Sequence, residues 1–108
     1  MKSITIELKG SITIGQGDIK LKKGIRDVFE QGYQLVILDF YGVNYLDSSG
    51  LGELVAASQY LKERDGILAI VRVPKKIKKL LYVSLLIEKL NCFNTRDEAV
   101  EKLRASLV

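Results

Sequence analysis

Histidine is absent from this sequence of 108 residues, and cysteine occurs only once, at Cys92. Without an imidazole group the chain has no histidine general base, no serine–histidine pair and no histidine metal ligand. A single cysteine forms neither an internal disulfide bond nor a thiolate zinc site, and it fits a reducing compartment. We therefore expect no catalytic residue, no bound metal and no cofactor.

Long apolar runs are also missing. No apolar segment approaches the roughly 18 residues that a membrane-spanning helix needs, and the N-terminus lacks the apolar block of a signal peptide. Apolar residues make up 47% of the chain and charged residues 28%, as in ordinary soluble globular proteins. We expect one domain over residues 1–108, located in the cytoplasm.

The charge is mildly basic, with a net value of +4 and a pI near 9.2. The lysines in Lys75–Lys79 raise the possibility of binding to anionic lipid or nucleic acid. They alternate with Ile77, Leu80 and Leu81, which is more simply the solvated face of a helix packed on the core. We therefore expect no direct contact with nucleic acid or membrane.

Apolar patterns predict the strands. Polar and apolar residues alternate in Ser3–Leu8 and again in Ser11–Ile14, so we predict two short strand pieces there. Continuous apolar runs at Leu35–Leu38 and Ile67–Val71 are typical of strands covered on both faces. A further short strand is predicted at Leu90–Phe93.

Apolar residues at helical spacing predict about four helices. The first follows a turn at Gly15–Asp18, with Asp18 placed as its N-cap, and it ends near Gly32. Pro74 begins the third helix, and the capping box Thr95–Glu98 begins the last. The predicted inward-facing residues are Leu21, Ile25, Val28 and Phe29; Leu51, Leu54, Val55, Ser58 and Leu61; and Ile77, Leu80 and Leu81. This alternation predicts an α/β fold with a mixed, mostly parallel β-sheet.

The segment Tyr45–Leu54, with the sequence YLDSSGLGEL, begins the second helix. Asp and Ser are preferred N-caps, and glycine relieves crowding between a strand and a helix, so a helix start is the simplest interpretation. The segment lacks the Gly-x-Ser-x-Gly pattern of a nucleophile elbow and the Lys-Ser/Thr of a phosphate-binding loop. Catalysis at these serines is not predicted.

The run Leu35–Leu54 resembles the STAS domain, in particular that of bacterial anti-sigma factor antagonists. It has an apolar strand ending in Leu-Asp, a short turn, and Asp-Ser-Ser-Gly-Leu-Gly opening a helix. The resemblance implies a partner that is both an anti-sigma factor and a serine kinase. It also implies phosphorylation at Ser48, in a turn with Asp47, Ser49 and Gly50, and a phosphatase that reverses it. The chain would then be a switch and not an enzyme.

A second interpretation keeps the fold and changes the role. STAS domains also resemble scaffold modules of stress-sensing complexes and adaptors of membrane transporters, where phosphorylation is not universal. Because the sequence contains no transmembrane region, we expect the free-standing switch and keep the scaffold or adaptor as the alternative.

The second helix also suggests a docking surface. If its inward residues are as predicted above, then Glu53, Ala56, Ala57 and Tyr60 face outward. This side is smooth and weakly polar, and tyrosine is favoured as an interface anchor. We predict that these residues contact the partner; the competing interpretation is a solvent face that happens to be rich in alanine.

Overall fold

The computed structural model describes residues 2–12, 16–84 and 90–104 and, for residues 16–20 and 22, the backbone only. In these residues strands and helices alternate along the chain. The elements are β1 (Ser3–Ile12), α1 (Gln16–Glu30), β2 (Leu35–Leu46), α2 (Ser48–Lys62), β3 (Ile67–Val71), α3 (Lys75–Val83), β4 (Cys92–Phe93) and α4 (Arg96–Leu103). The predicted α/β fold is confirmed.

The strands form one sheet in the order β1-β2-β3-β4, and each neighbouring pair is parallel. The sequence predicts a mixed sheet, but the described residues contain no antiparallel pair. Because the strand order follows the chain order, right-handed crossovers place α1, α2 and α3 on the same face of the sheet. The last helix, α4, lies against the opposite face.

Helices on both faces explain the continuous apolar runs of the central strands. Val36 and Leu38 of β2 join the core under α1, α2 and α3, whereas Leu35 and Ile37 pack with α4. All four side chains are fully buried. Burial of such a side chain stabilises the fold by about 1.5–3 kcal/mol, so the centre of β2 is a main source of stability.

The first two strands are longer than their apolar patterns predict. β1 is one continuous strand to Ile12 and not two pieces, with register shifts between Glu7 and Lys9 and between Gly10 and Ser11. The last two residues of the second predicted piece, 13 and 14, lie outside the described residues. β2 does not turn after Asp39 but continues to Leu46. β1 and β2 pair with each other up to Ile12 and Leu46. Backbone hydrogen bonds between the two strands therefore override the local preference of the polar residues after Asp39 for a turn.

The first helix begins earlier than predicted. Helix α1 starts at Gln16, so Asp18 lies inside it and is not its N-cap; Gly15 lies outside the described residues. The predicted inward face is confirmed, with residues that are buried or half-buried: Leu21, Ile25, Val28 and Phe29. Gly32 follows the helix with φ of 98°, a left-handed conformation that glycine adopts readily.

The third and fourth helices begin where the sequence predicts. Pro74 is the N-cap residue of α3, and Thr95 is the N-cap residue of α4. The Oγ1 atom of Thr95 accepts a hydrogen bond of 3.1 Å from the Glu98 N–H, which is half of the predicted capping box. The predicted inward residues of α3 are buried or half-buried: Ile77, Leu80 and Leu81.

Candidate functional site

The candidate site begins where β2 ends at Leu46 and α2 begins at Ser48, with Asp47 between them. Asp47 is the N-cap, because its Oδ1 atom accepts a hydrogen bond of 2.8 Å from the Gly50 N–H. Its carbonyl oxygen accepts a second hydrogen bond, of 2.9 Å, from the Leu51 N–H. The first bond satisfies an N–H group that would otherwise lack a partner at the helix start, and the second is the first regular hydrogen bond of the helix. The interpretation of this segment as a helix start is confirmed.

The two serines of the motif differ in exposure. Ser48 is exposed at the first position of α2, whereas Ser49 is half-buried. The first turn of α2 contains no acidic residue, so the partial positive charge of the helix N-terminus faces the region around Ser48. Of the two hydroxyl groups, that of Ser48 is the more accessible to a modifying enzyme.

Gly50 fixes the position of this turn against β1. A Cβ atom at Gly50 would collide with the carbonyl oxygen of Ile12 and would lie 2.8 Å from Cδ1 of Leu46. The same carbonyl oxygen accepts a hydrogen bond of 3.4 Å from the Asp47 N–H. Glycine therefore lets the first turn of α2 pack directly on the end of β1, which holds the adjacent Ser48 at the surface.

The outward side of α2 differs in part from the prediction. Ala56 is exposed and Tyr60 is half-buried, but Ala57 is only 7% exposed and belongs to the main core, so its predicted outward position is wrong. Glu53 is half-buried. The reason is that α1 packs along one flank of α2, with the Phe29 and Tyr60 rings in an edge contact at 6.0 Å, and this widens the buried arc.

A cleft of about 190 Å³ lies between α1 and α2. Ile25 and Ala57 are its buried residues, and Arg26, Ala56 and Tyr60 line the rest. The small side chains of the two alanines leave this space open, because larger residues would fill it against α1. Pockets for drug-sized ligands have about 300–1,000 Å³, so the cleft suits one or two side chains of a protein partner better than a metabolite.

Two arginines flank the ring of Tyr60. The guanidinium carbon of Arg64 lies 3.8 Å from the ring centroid, and that of Arg26 lies 5.6 Å from it. The sequence reasoning missed both residues. Arg64 follows Tyr60 by four residues, a spacing that suits side-chain contact along a helix, so the sequence could have suggested Arg64. The contact of Arg26 with Tyr60 depends on how α1 packs against α2.

A second polar cluster lies on the face of the sheet covered by α4, and the sequence reasoning missed it as well. The Nε and Nη2 atoms of Arg72 donate hydrogen bonds of 2.8–3.1 Å to the carboxylate of Asp39. The guanidinium also lies 4.5 Å from the ring centroid of Tyr41. Arg72 has φ of 52°, a conformation that is strained for a residue with a side chain. The pair ties the end of β3 to β2.

In the Asp39–Arg72 pair, each residue stabilises the charged form of the other. Burial disfavours the charged form of Asp39, but the hydrogen bonds from Arg72 and from the Tyr41 N–H, with the charge of Arg72, outweigh burial and lower its pKa. The hydrogen bond to Asp39 in turn raises the pKa of Arg72. Both groups are therefore ionised at neutral pH, and we assign the pair a structural role.

In residues 2–12, 16–84 and 90–104, no three carboxylate or thiolate groups cluster in a way that could hold a metal ion. No helix in this part of the chain is long and apolar enough to cross a membrane.

Comparison with known proteins identifies the architecture. A family model for the STAS domain matches residues 3–99. The Thermotoga maritima protein TM1081 is similar in structure, with a TM-score of 0.84 and 23% identity over 94% of this chain and 87% of that chain. A sulfate transporter family protein from Wolinella succinogenes has a TM-score of 0.79 and 23% identity, over 97% of this chain and 87% of that chain. The anti-sigma factor antagonist SpoIIAA in its unphosphorylated form has a TM-score of 0.77 and 20% identity, over 96% of this chain and 90% of that chain.

These identities establish a shared fold and nothing finer. A comparison with curated protein sequences finds no match. The function must therefore be argued from the site.

Proposed function

The chain belongs to the STAS domain family, and from this we propose that it is an anti-sigma factor antagonist controlled by phosphorylation at Ser48. In its unmodified form it binds an anti-sigma factor that is also a serine kinase, and so frees a sigma factor in the cytoplasm. Phosphorylation of Ser48 by that kinase ends the complex, and a phosphatase restores the binding form. The protein acts as a substrate and a switch and not as an enzyme.

The exposed hydroxyl of Ser48 is the observation that carries this proposal. It stands at the first position of α2, beside the Asp47 cap, and Gly50 holds the turn in place. The fold matches that of SpoIIAA, whose structure is known in an unphosphorylated and a phosphorylated form. An anti-sigma factor antagonist from Mycobacterium paratuberculosis has the same fold.

The location of Ser48 explains how a phosphate would act. It adds a charge of roughly −1.5 to −2 and three acceptor oxygens. The N-terminus of α2 tolerates this charge through its free N–H groups and its dipole, so the domain itself stays folded. A docked partner would instead have to bury a dianion next to the Asp47 carboxylate. A hundredfold loss of affinity corresponds to about 2.8 kcal/mol, which one poorly compensated buried charge can supply.

The docking surface extends from the Ser48 turn along α2 to the cleft at Tyr60. Ser48 and Tyr60 are about 18 Å apart along the helix axis, at 1.5 Å per residue. An interface of ordinary size covers this distance. The exposed Ala56 lies between them, and the Arg26 and Arg64 side chains border the far end. We infer that this end receives an apolar side chain of the partner flanked by a carboxylate. The buried Ala57 contributes to the floor of the cleft, whereas the half-buried Glu53, which the sequence places on the same surface, does not line it.

Phosphorylation is tested first. The purified chain and its Ser48→Ala and Ser49→Ala variants are incubated with ATP and candidate anti-sigma factor kinases, and intact masses are measured. We expect one added phosphate on the wild type and on Ser49→Ala, and none on Ser48→Ala. Equal phosphate on the wild type and Ser48→Ala would refute the site.

Docking is tested separately, with the kinase that phosphorylates the wild type. Tyr60→Ala and Ala56→Leu should each weaken binding of the unphosphorylated protein at least about tenfold, a change of about 1.4 kcal/mol. Ala56→Leu matters because Ala56 is exposed and its enlargement blocks the cleft without disturbing the core. Lys62→Ala, an exposed substitution at the end of α2, serves as the control. Unchanged affinity of both variants would remove the cleft from the interface.

A second candidate function is that of an adaptor in a transporter complex. The fold likeness to a sulfate transporter family protein and to murine Slc26a9, of which the match covers only 18% of the length, favours it. Phosphorylation at Ser48 and partner binding by a Ser48→Glu variant distinguish the two functions. An adaptor would take no phosphate at Ser48 from any kinase tested, and it would bind its partner equally well as a Ser48→Glu variant.

A further inference from the structure

The outward side of α3 combines positive charge with exposed apolar groups. Ile77 and Leu81 are buried and fix the orientation of the helix on the sheet. The residues that remain on its outward side are exposed, and we call them the basic face: Lys75, Lys76, Lys78, Lys79, Tyr82 and Val83. From the sequence alone this side is predicted to be merely solvated; the exposure of its last two residues changes that interpretation.

The lysines of the basic face oppose the stability of their own helix. All four lie in its first two turns, where the helix dipole favours negative charge, and the first turn contains no acidic residue. Lys75 is one helical turn from Lys79, and such like-charged pairs repel each other. None of the four lysines makes an ion pair with a residue in the described part of the chain. The fold therefore does not account for this concentration of charge.

The apolar residues of the basic face also lack a role in the fold. Tyr82 is 63% exposed and Val83 is 76% exposed. They are adjacent at the end of α3 and share its outward side with the lysines. Among the described residues the other exposed large apolar side chains are Tyr41, at 72%, and Tyr45, at 54%, both on β2. Polar residues at both positions of α3 would serve the fold better.

We propose that the basic face binds the surface of an anionic lipid bilayer. Lysine ammonium groups are attracted to anionic headgroups, and tyrosine favours the boundary between headgroups and acyl chains. The exposed Val83 side chain gains from transfer into that boundary. A nucleic acid would satisfy the lysines but offers Val83 only a charged, hydrated backbone. The pairing of lysines with Val83 therefore favours lipid.

The expected binding is weak, reversible and sensitive to salt. Each lysine near an anionic surface contributes about fivefold in affinity. The apolar contact of α3 is small, because its buried face is committed to the core and only Tyr82 and Val83 are free to enter the bilayer. This proposal is independent of the switch at Ser48, so either can fail without the other.

Sedimentation with vesicles tests the charge of the basic face. The full chain is mixed with vesicles of equal parts phosphatidylglycerol and phosphatidylcholine, and with vesicles of phosphatidylcholine alone. We expect binding to the anionic vesicles only, and loss of that binding at high salt. The triple variant Lys75→Gln, Lys76→Gln, Lys79→Gln should bind at least about tenfold more weakly.

A matched control separates the basic face from net charge. The triple variant Lys23→Gln, Lys62→Gln, Lys102→Gln removes the same charge from exposed positions on α1, α2 and α4. It should retain most of the binding. If it loses as much as the α3 variant, net charge alone explains the attraction and the proposal is overturned. Absence of binding to the anionic vesicles overturns it as well.

Fluorescence tests the apolar contact. The chain contains no tryptophan, so Val83→Trp introduces a single reporter at the end of α3, and Tyr45→Trp introduces a control reporter on β2. On anionic vesicles the emission of Val83→Trp should shift to shorter wavelength, and that of Tyr45→Trp should not. If the wild type binds a DNA duplex through the same lysines and Val83→Trp shows no shift on vesicles, the ligand of the basic face is nucleic acid and the membrane proposal is overturned.

Discussion

Gly50 of α2 faces the carbonyl oxygen of Ile12 in β1 with no room between them for a methyl group. This contact joins the first turn of the helix to the end of the neighbouring strand. The turn that holds Ser48, the proposed phosphorylation site, is therefore positioned by tertiary packing as well as by its own capping hydrogen bond.

Gly50→Ala should destabilise the domain. The added methyl group would overlap backbone atoms of β1 and the Leu46 side chain, and neither can move away freely. We expect a loss of at least about 2 kcal/mol in the free energy of unfolding, within the range for overpacked sites, measured by urea denaturation.

Gly52→Ala is the matched control, because a Cβ atom at Gly52 would have no neighbour within 4 Å. Alanine favours the helix over glycine by about 0.5–1 kcal/mol, so this variant should be more stable than the wild type. A loss of stability equal to that of Gly50→Ala would contradict the packing argument.

Asp47→Ala should lower the free energy of unfolding by about 1 kcal/mol, because it removes an N-cap hydrogen bond. Asp47→Asn should cost little, since asparagine caps helices about as well as aspartate. The two variants, compared by urea denaturation, separate the cap from the charge. Equal destabilisation by both would show that the carboxylate charge is what matters.

The Asp39–Arg72 pair should make stability depend on pH in the acid range. The pKa of Asp39 is lowered from its ordinary value of 3.8, so the unfolded chain binds a proton more readily than the folded one. The stabilisation is fully present above the ordinary pKa and is lost as the pH falls through the folded pKa. In unfolding measurements from pH 5 downward, Asp39→Asn should show a shallower fall in stability than the wild type. Parallel curves would contradict this assignment.

Cys92 should react slowly in the native protein. Burial raises the pKa of its thiol from 9.0 to about 11, although the charge of Lys78 acts in the opposite direction. At pH 8 the reactive thiolate is therefore about a hundredfold scarcer than in the unfolded chain. Alkylation by iodoacetamide, followed by mass spectrometry, should be correspondingly slower without urea than with it. Similar rates in both conditions would show that the thiol is accessible.

The local patterns of the sequence predicted most of the secondary structure. The apolar run Ile67–Val71 is β3 without any change in its bounds, and Pro74 and Thr95 precede α3 and α4 as expected. These features depend on neighbouring residues alone, through capping, fixed φ angles and apolar periodicity, so the sequence contains them directly. The N-cap at Asp47 follows from the same kind of local rule.

Pairing and packing between distant segments decided the rest. The extension of β2 to Leu46 depends on hydrogen bonds to β1, and the burial of Ala57 depends on α1. The contacts of Arg26 with Tyr60 and of Arg72 with Asp39 join residues on different elements. No periodicity along one segment specifies such contacts, because each is set by the relative position of two elements once both are folded.

The switch proposed here rests on one hydroxyl group that the chain itself places at the start of a helix. The shape of the proposed docking surface was decided by the tertiary structure, which buried Ala57 and left open the cleft beside Tyr60. The physical reason is the close approach of α1, which determines how much of α2 remains exposed.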